Sequence, residues 1–424
     1  MTIAKDAFDL PVTGASEEQT IGYDDYVVQF LSYGSELRHL FDIASTAPQS
    51  AMLNAHAAAL HLAFEGAEGW AHAHPFLNAM AAAPSPVSPR ETYFCEAVSR
   101  WAQQDFYGAL NALDELTLRW PADLCAIKWG QYHAFNVGDQ AALLRFAERA
   151  RIVHENRPYT HGMIAFALEQ NHHLEEAEEQ GMLATRIALD DAWAHHAVAH
   201  VMETNGRAKD GSHWMSKCAH TWDAKGIFIR DHNWWHTALF NLTLGRYEDV
   251  FRIYDTYLWG AWPEFPQEQI GAVSMLWRLE MRGLDVGDRW NSVVEQITPR
   301  TEEQLLPFHD IHYLIALARA GADNGNFEAA ETMLENIKAF AETRSGEAKI
   351  AWRDALVPAA EGCIAFARQD FTTAAHHMTK ALPFLSKIGG SHAQRHLFVE
   401  AIQYAGLKAK SNNGRSNESI AFVN

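Results

Sequence analysis

Cysteine is scarce. Four stand in 424 residues, at Cys95, Cys125, Cys218 and Cys363, and none lies near another. With no C-x-x-C pair and no cluster, neither a disulfide framework nor a zinc–thiolate site organises this chain. Positive charge is also short. Lys and Arg number 34 against 53 Asp and Glu, a net charge of −19. That argues against a nucleic-acid partner, whose phosphates need a basic footprint, and against an anionic membrane surface. No apolar run approaches the length of a membrane span, and the opening MTIAKDAFDLPVTG has no apolar signal core. The expected location is therefore the cytoplasm. Dinucleotide fingerprints, Walker loops and nucleophile elbows are missing, so no nucleotide cofactor and no serine-hydrolase chemistry is expected.

Helix-forming sequence is what the chain does have. Apolar residues make up 48%, enough for a large core, and strand signals are few. A short turn followed by an alanine-rich helix recurs: QDFYGALNAL at Gln104, GDQAALLRFA at Gly138, HHLEEAEEQG at His172 and GRAKDGSHWM at Gly206. The turn positions are spaced 34 residues apart, the period of tetratricopeptide helix–turn–helix units. Looser copies follow at Gly245, Gly325 and Gln369. Ala109, Ala177, Ala330 and Ala374 each sit five residues after a turn, where paired helices approach closely. The expected fold is all-α, a TPR-like α-α superhelix (a helical-repeat solenoid) with a concave central groove. The chain reads as a loose arm over 1–20, one helical-repeat domain over 21–407 and a disordered polar tail over 408–424.

Histidine is the unusual residue. There are 23, and eleven fall between His154 and His236. In DAWAHHAVAHVMETNG, from Asp191 to Gly206, helical phase puts Trp193, His196, His200 and Glu203 on one stripe. Ala194, Val198, Val201 and Met202 fall on the opposite, apolar face. The repeat gives the same answer independently. The first helix of each unit lines the groove with the residues three, six, ten and thirteen before the turn. That rule selects Trp193, His196, His200 and Glu203 before Gly206. It selects Tyr159, Gly162, Phe166 and Glu169 before His172. Before Gly245 and Gly325 it yields His232 with Trp235, and His312 with Arg319.

Four stretches, HHAVAHVMETNGR, HNWWHTALFNLTLGRYEDVFRIYD, FHDIHYLIAL and GGSHAQRHLF, together resemble the tetratricopeptide repeat protein 38 family, and the resemblance runs from about Tyr23 to Gly406. It implies a TPR-like helical protein and no particular reaction, so the site is argued from residues.

Candidate acid–base residues are His196, His200 and Glu203; His232 and His236, one helical turn apart; and His309, Asp310 and His312. Candidate ligand-binding residues are His161, beside a Gly162 that leaves room for a ligand, and the groove residues Trp193, Trp235 and Arg319. To these are added Ser391, Gln394 and Arg395, in a stretch where Gly389 and Gly390 open a helix and Arg395 suits a carboxylate. Three readings stand. Paired H-x-x-x-H histidines (His196, His200, His232, His236) suit a divalent metal such as zinc, iron or manganese, although Ala197 occupies the place of the H-E-x-x-H base. Neutral histidines also suit the roles of acid, base and donor to a small polar molecule without metal. Or the rings brace the superhelix. The expected ligand is a small polar molecule that is bound and transformed by such chemistry. The alternative is a non-enzymatic scaffold that binds a peptide or protein in the groove.

Overall fold

The computed structural model describes residues 4–84 and 87–412. Helices carry almost all of it. The one sheet among the described residues is a ribbon in which Ala4–Lys5 pairs antiparallel with Pro11–Val12. The fold is the expected all-α helical repeat, with antiparallel helix pairs packed in sequence order.

The repeat has a backbone cause. Gln104, Gly138, His172, Gly206, Gly245, Gly325 and Gln369 all hold left-handed φ between 61° and 74°. Most of these turns close alike: the left-handed residue donates its N–H to the carbonyl three back, and the next residue donates five back. Gly206 N reaches Glu203 O and Arg207 N reaches Met202 O; Gln369 N and Asp370 N do the same to Phe366 O and Ala365 O. This double bond satisfies carbonyls that a helix end otherwise leaves orphaned. The next residue often caps the second helix. Asp105, Asp139 and Asp370 each accept an N–H of the following turn with a side-chain oxygen. Ala109, Ala177, Ala330 and Ala374 are fully buried where the pairs meet.

The chain divides into two compact units, one of residues 1–135 and 139–237, the other of 136–138 and 238–424. In the first, the pairs include Thr160–Gln170 with Leu174–Ile187 and Ala192–Thr204 with Ala208–Cys218, followed by the start of Ile227–Thr243. In the second, Pro266–Met281, Pro307–Asn324 and Val357–Ala367 are the first helices of successive pairs, and His392–Asn412 closes the series.

The ends differ from expectation. Residues 4–13 are not loose. Arg90, buried against Asp123 at 2.6 Å, also donates to Pro11 O, and Glu91 takes the N–H and hydroxyl of Thr13. A buried guanidinium and carboxylate need such partners, and the ribbon supplies them. Helix begins at Glu17, behind a Ser16–Gln19 capping box. At the other end, 408–412 continue the last helix; the rest of the expected polar tail lies outside the described residues.

Candidate functional site

Small residues set the site's position. Gly181 of the preceding helix lies so close to Val198 that a Cβ there would meet its Cγ2 at 2.4 Å. The Ala192–Thr204 helix therefore packs its Ala/Val face against the second helices, and its histidine stripe faces its own inner side. Asp191 caps it through Ala194 N. Asn233 donates to Ala192 O across the gap, which fixes the register of the Ile227–Thr243 helix and brings its own pair of histidines opposite the first.

Four rings meet there. Nε2 of His196 lies 3.0 Å from Nε2 of His200 and 3.1 Å from Nε2 of His232. His236 completes the set, its ring centroid 4.4 Å from that of His200 and 4.9 Å from that of His196. One ligand nitrogen from each of the four falls within 4.8 Å of all the others. An imidazole nitrogen has a single in-plane site, either an N–H or a lone pair. His196 Nε2 therefore cannot make good hydrogen bonds to both of its neighbours. A cation shared by the lone pairs satisfies them together. In a tetrahedral zinc site with Zn–N near 2.0–2.1 Å, nitrogens stand about 3.3 Å apart, so the two close pairs would open slightly and the wider separations, up to 4.8 Å, would close.

Two carboxylates stand behind the rings. Glu203 Oε2 is 3.3 Å from Nδ1 of His236, and Glu169 Oε2 is 3.7 Å from Nδ1 of His200. Glu169 is fully buried and accepts from Thr204 Oγ1 and Gln170 Nε2. Carboxylates on the far nitrogen orient ligating histidines and raise their basicity. Aromatic walls close the rest. His232 lies parallel between Phe228 and Trp235, while Trp193 packs on His196 at 4.5 Å and on Phe166 at 4.7 Å. Burial, reinforced by the neighbouring histidines, holds His196 well below the usual histidine range; burial and His236 do the same to His232. These rings are neutral and present lone pairs at physiological pH.

One expectation is corrected. A stripe lining an open concave groove would be exposed, yet His196 and His200 are 1% exposed and His236 not at all. Helices of the same unit cover both sides. Trp193 and Trp235, expected to bind substrate, are walls of the cluster.

The remaining predicted residues take other places. His161 does not join the cluster: its Nδ1 is 2.6 Å from Gln180 Oε1 and its Nε2 is 2.6 Å from Glu155 O. The room expected at Gly162 is filled by the Asp191 carboxylate, 2.8 Å from where a Cβ would stand. His309, Asp310 and His312 belong to the second unit. There His309 packs near Tyr313, while His312 packs on Phe308 and near Phe398. His312 donates Nδ1 to Phe308 O, and burial drives it down to about 3; burial likewise pushes the Asp310 carboxyl far up. Ser391 and Gln394 close a reciprocal cap on the last helix, each accepting the other's N–H. Arg395 donates to the carbonyls of Gly389 and Gly390, so these three hold the helix start together. Arg319 is ion-paired with Glu280 and Asp323. Glu169 was missed as a site residue, although it stands 34 residues before Glu203 at the same groove position.

No family model matches the sequence. Among solved structures the chain is similar to IFIT1. One is a monomeric mutant with Gppp-AAAA, at 12% identity over 97% of this chain and 91% of that chain, TM-score 0.43. A second monomeric mutant, with m7Gppp-AAAA, is 12% identical over the same shares, TM-score 0.45. The human IFIT1 dimer with PPP-AAAA is 13% identical over 97% and 90%, TM-score 0.42. Among the described residues, no helix is long and apolar enough to cross a membrane.

Proposed function

We propose that this chain is a helical-repeat binding protein of the tetratricopeptide repeat protein 38 kind, whose first unit holds one divalent transition metal through His196, His200, His232 and His236. The observation that supports this most directly is the convergence of three Nε2 atoms on one point, at 3.0 and 3.1 Å from His196. Four neutral nitrogens suit zinc, copper, nickel or iron, and suit magnesium, calcium or manganese poorly. Glu169 and Glu203 offset the charge of the ion and fix the ligating nitrogens of His200 and His236 as Nε2.

A set of four protein ligands fills a tetrahedral zinc shell and leaves no place for water or substrate, which is the pattern of holding sites and not of hydrolytic ones. This favours binding over turnover as the role of the inner face. The test is elemental analysis of protein purified without a histidine tag, stripped with chelator and reloaded with zinc. The expected result is about one zinc per chain in the parent and next to none in His200→Ala/His236→Ala. Equal metal in parent and variant, or none in either after reloading, overturns the assignment.

A further inference from the structure

The rule that finds the histidine stripe also runs through the second unit. Gly283, Gly325 and Gln369 are its left-handed turn residues. Six and three residues before them stand Trp277 and Glu280, Arg319 and Ala322, and Cys363 and Phe366. All six line a single cleft of about 490 Å³, a size typical of sites for small organic ligands. The last helix adds Tyr404 and Lys408 to its wall, and Asp323 stands beside Arg319. Here the equivalent of the histidine face is open space lined by aromatics and mixed charge.

The charges in that space are paired in an uncommon way. Arg319 donates Nε to both oxygens of Glu280, at 2.8 and 3.0 Å, and its Nη1 meets Asp323. Its Nη2 has no acceptor among the described residues. Lys408 is the second cation and lies over the Tyr404 ring. Two positive and two negative groups thus share the cleft. A simple anion would meet Glu280 and Asp323, and a simple cation would meet Arg319 and Lys408. A molecule carrying both signs a few ångströms apart meets favourable charge at both ends. Beneath the charges, Trp277 and Phe366 pack edge to face at 5.1 Å and offer an apolar floor.

We propose that this cleft binds a zwitterionic α-amino acid with an aromatic or large aliphatic side chain. Its carboxylate pairs with Arg319 Nη2 and Lys408, its ammonium with Asp323 and Glu280, and its side chain rests on Trp277 and Phe366. The site is separate from the four histidines and stands or falls without them.

The experiment is calorimetry and saturation-transfer NMR on the full chain with L-phenylalanine and L-leucine. EDTA is present throughout, so that chelation of metal by the amino acid cannot imitate binding. N-acetyl-L-phenylalanine, which lacks the ammonium, and L-phenylalanine amide, which lacks the carboxylate, are the comparison ligands. Loss of one charge-assisted bond should weaken each by roughly 10-fold or more. Asp323→Asn and Lys408→Gln change the charged ends of the site without orphaning a buried charge, and each should weaken the zwitterion similarly. The proposal is overturned if millimolar phenylalanine and leucine do not bind. It is also overturned if both blocked analogues bind as well as the zwitterion, or if neither variant alters affinity.

Discussion

The inner faces of the two units use the same repeat positions for opposite ends. In the first unit, the positions before Gly206 and Gly245 include Trp193, His196, His200, His232 and Trp235, with His236 beside them. They collapse on one another, and His196, His200 and His236 are sealed from solvent. In the second unit, the residues before Gly283, Gly325 and Gln369 keep apart, leaving a cleft of about 490 Å³. The third residue before the turn shows the contrast best. It is Glu169 and Glu203 in one unit, each beside a histidine Nδ1, and Glu280 in the other, held by Arg319. A repeat fixes where side chains point; what they do there depends on which neighbours share the position one and two repeats away.

The largest effect separating the two faces comes from emptying the first. His196→Ala with His200→Ala removes two buried rings from contact with Phe166, Trp193 and His236. Cavity and lost contacts together cost about 2 kcal/mol or more per site, so the melting temperature should fall on the order of 10 °C and stoichiometric zinc should vanish. Arg319→Gln in the other unit should leave the metal content unchanged. Unaltered melting of the double variant would mean that the rings are not packed as described.

Next in size is the test of the carboxylates. Glu169→Gln and Glu203→Gln each keep the shape but weaken the hold on His200 or His236, and zinc affinity measured by chelator competition should drop by about 10- to 100-fold. Glu280→Gln, at the same repeat position, should not alter it. A drop for Glu280→Gln equal to the others would erase the distinction between the faces.

Much of this was legible beforehand, and the failures have physical reasons. The 34-residue period and helical phase both point to His196, His200 and His232, because period and phase are local properties of the chain. Burial is not local: a stripe assigned to a groove reads as open to solvent until the helices that cover it are known. Glu169 falls on the groove by the same rule but stayed outside the candidates, because the histidine beside it, His200, belongs to the next repeat. The capping role of Ser391, Gln394 and Arg395 was not separable in sequence from an anion site, because both need the same donors and acceptors. The partner of Arg319 is Glu280, 39 residues away, a pairing no spacing rule announces.

Acid offers a smaller, shared effect. Burial holds His133 and His312 down to about 3 and His195 down to about 4, and lowers His196 and His232 as well. In the unfolded chain these rings bind protons below about pH 6.5. The unfolded state then carries more protons than the folded one, so the stability they allow is fully present above that pH and declines as pH falls toward 4. Burial also raises six carboxyls, Asp6 and Asp191 to about 6 and Asp24, Asp231, Glu280 and Asp310 as well. These act in the opposite sense, against eight lowered histidines once His56, His61 and His154 are included. The melting temperature of metal-free protein should therefore fall between pH 7 and pH 4. Because the responsible histidines lie in both units, both should lose stability. A melting temperature that is flat or rising over that range would contradict their burial in neutral form.

The smallest effect isolates what the units have in common. Gln104, Asp105 and Phe106 in the first unit repeat as Gln369, Asp370 and Phe371 in the second, and the two glutamines hold the left-handed turn at φ 61° and 62°. A side chain in that region strains the backbone, whereas glycine adopts it freely, as it does at Gly138, Gly206 and Gly245. Gln104→Gly and Gln369→Gly remove about 1 kcal/mol of that strain but give the unfolded chain more freedom, which takes back about 0.4–1 kcal/mol. The net gain is a few tenths of a kcal/mol, about 1 °C in melting, and it should be the same in both units because the turn, not the face, sets it. Asp105→Ala and Asp370→Ala serve as the matched loss, about 1 kcal/mol each for the cap. If one glutamine gains stability on conversion and the other loses it, the turns are not equivalent, and the difference between the faces begins in the backbone and not in the side chains that the repeat presents.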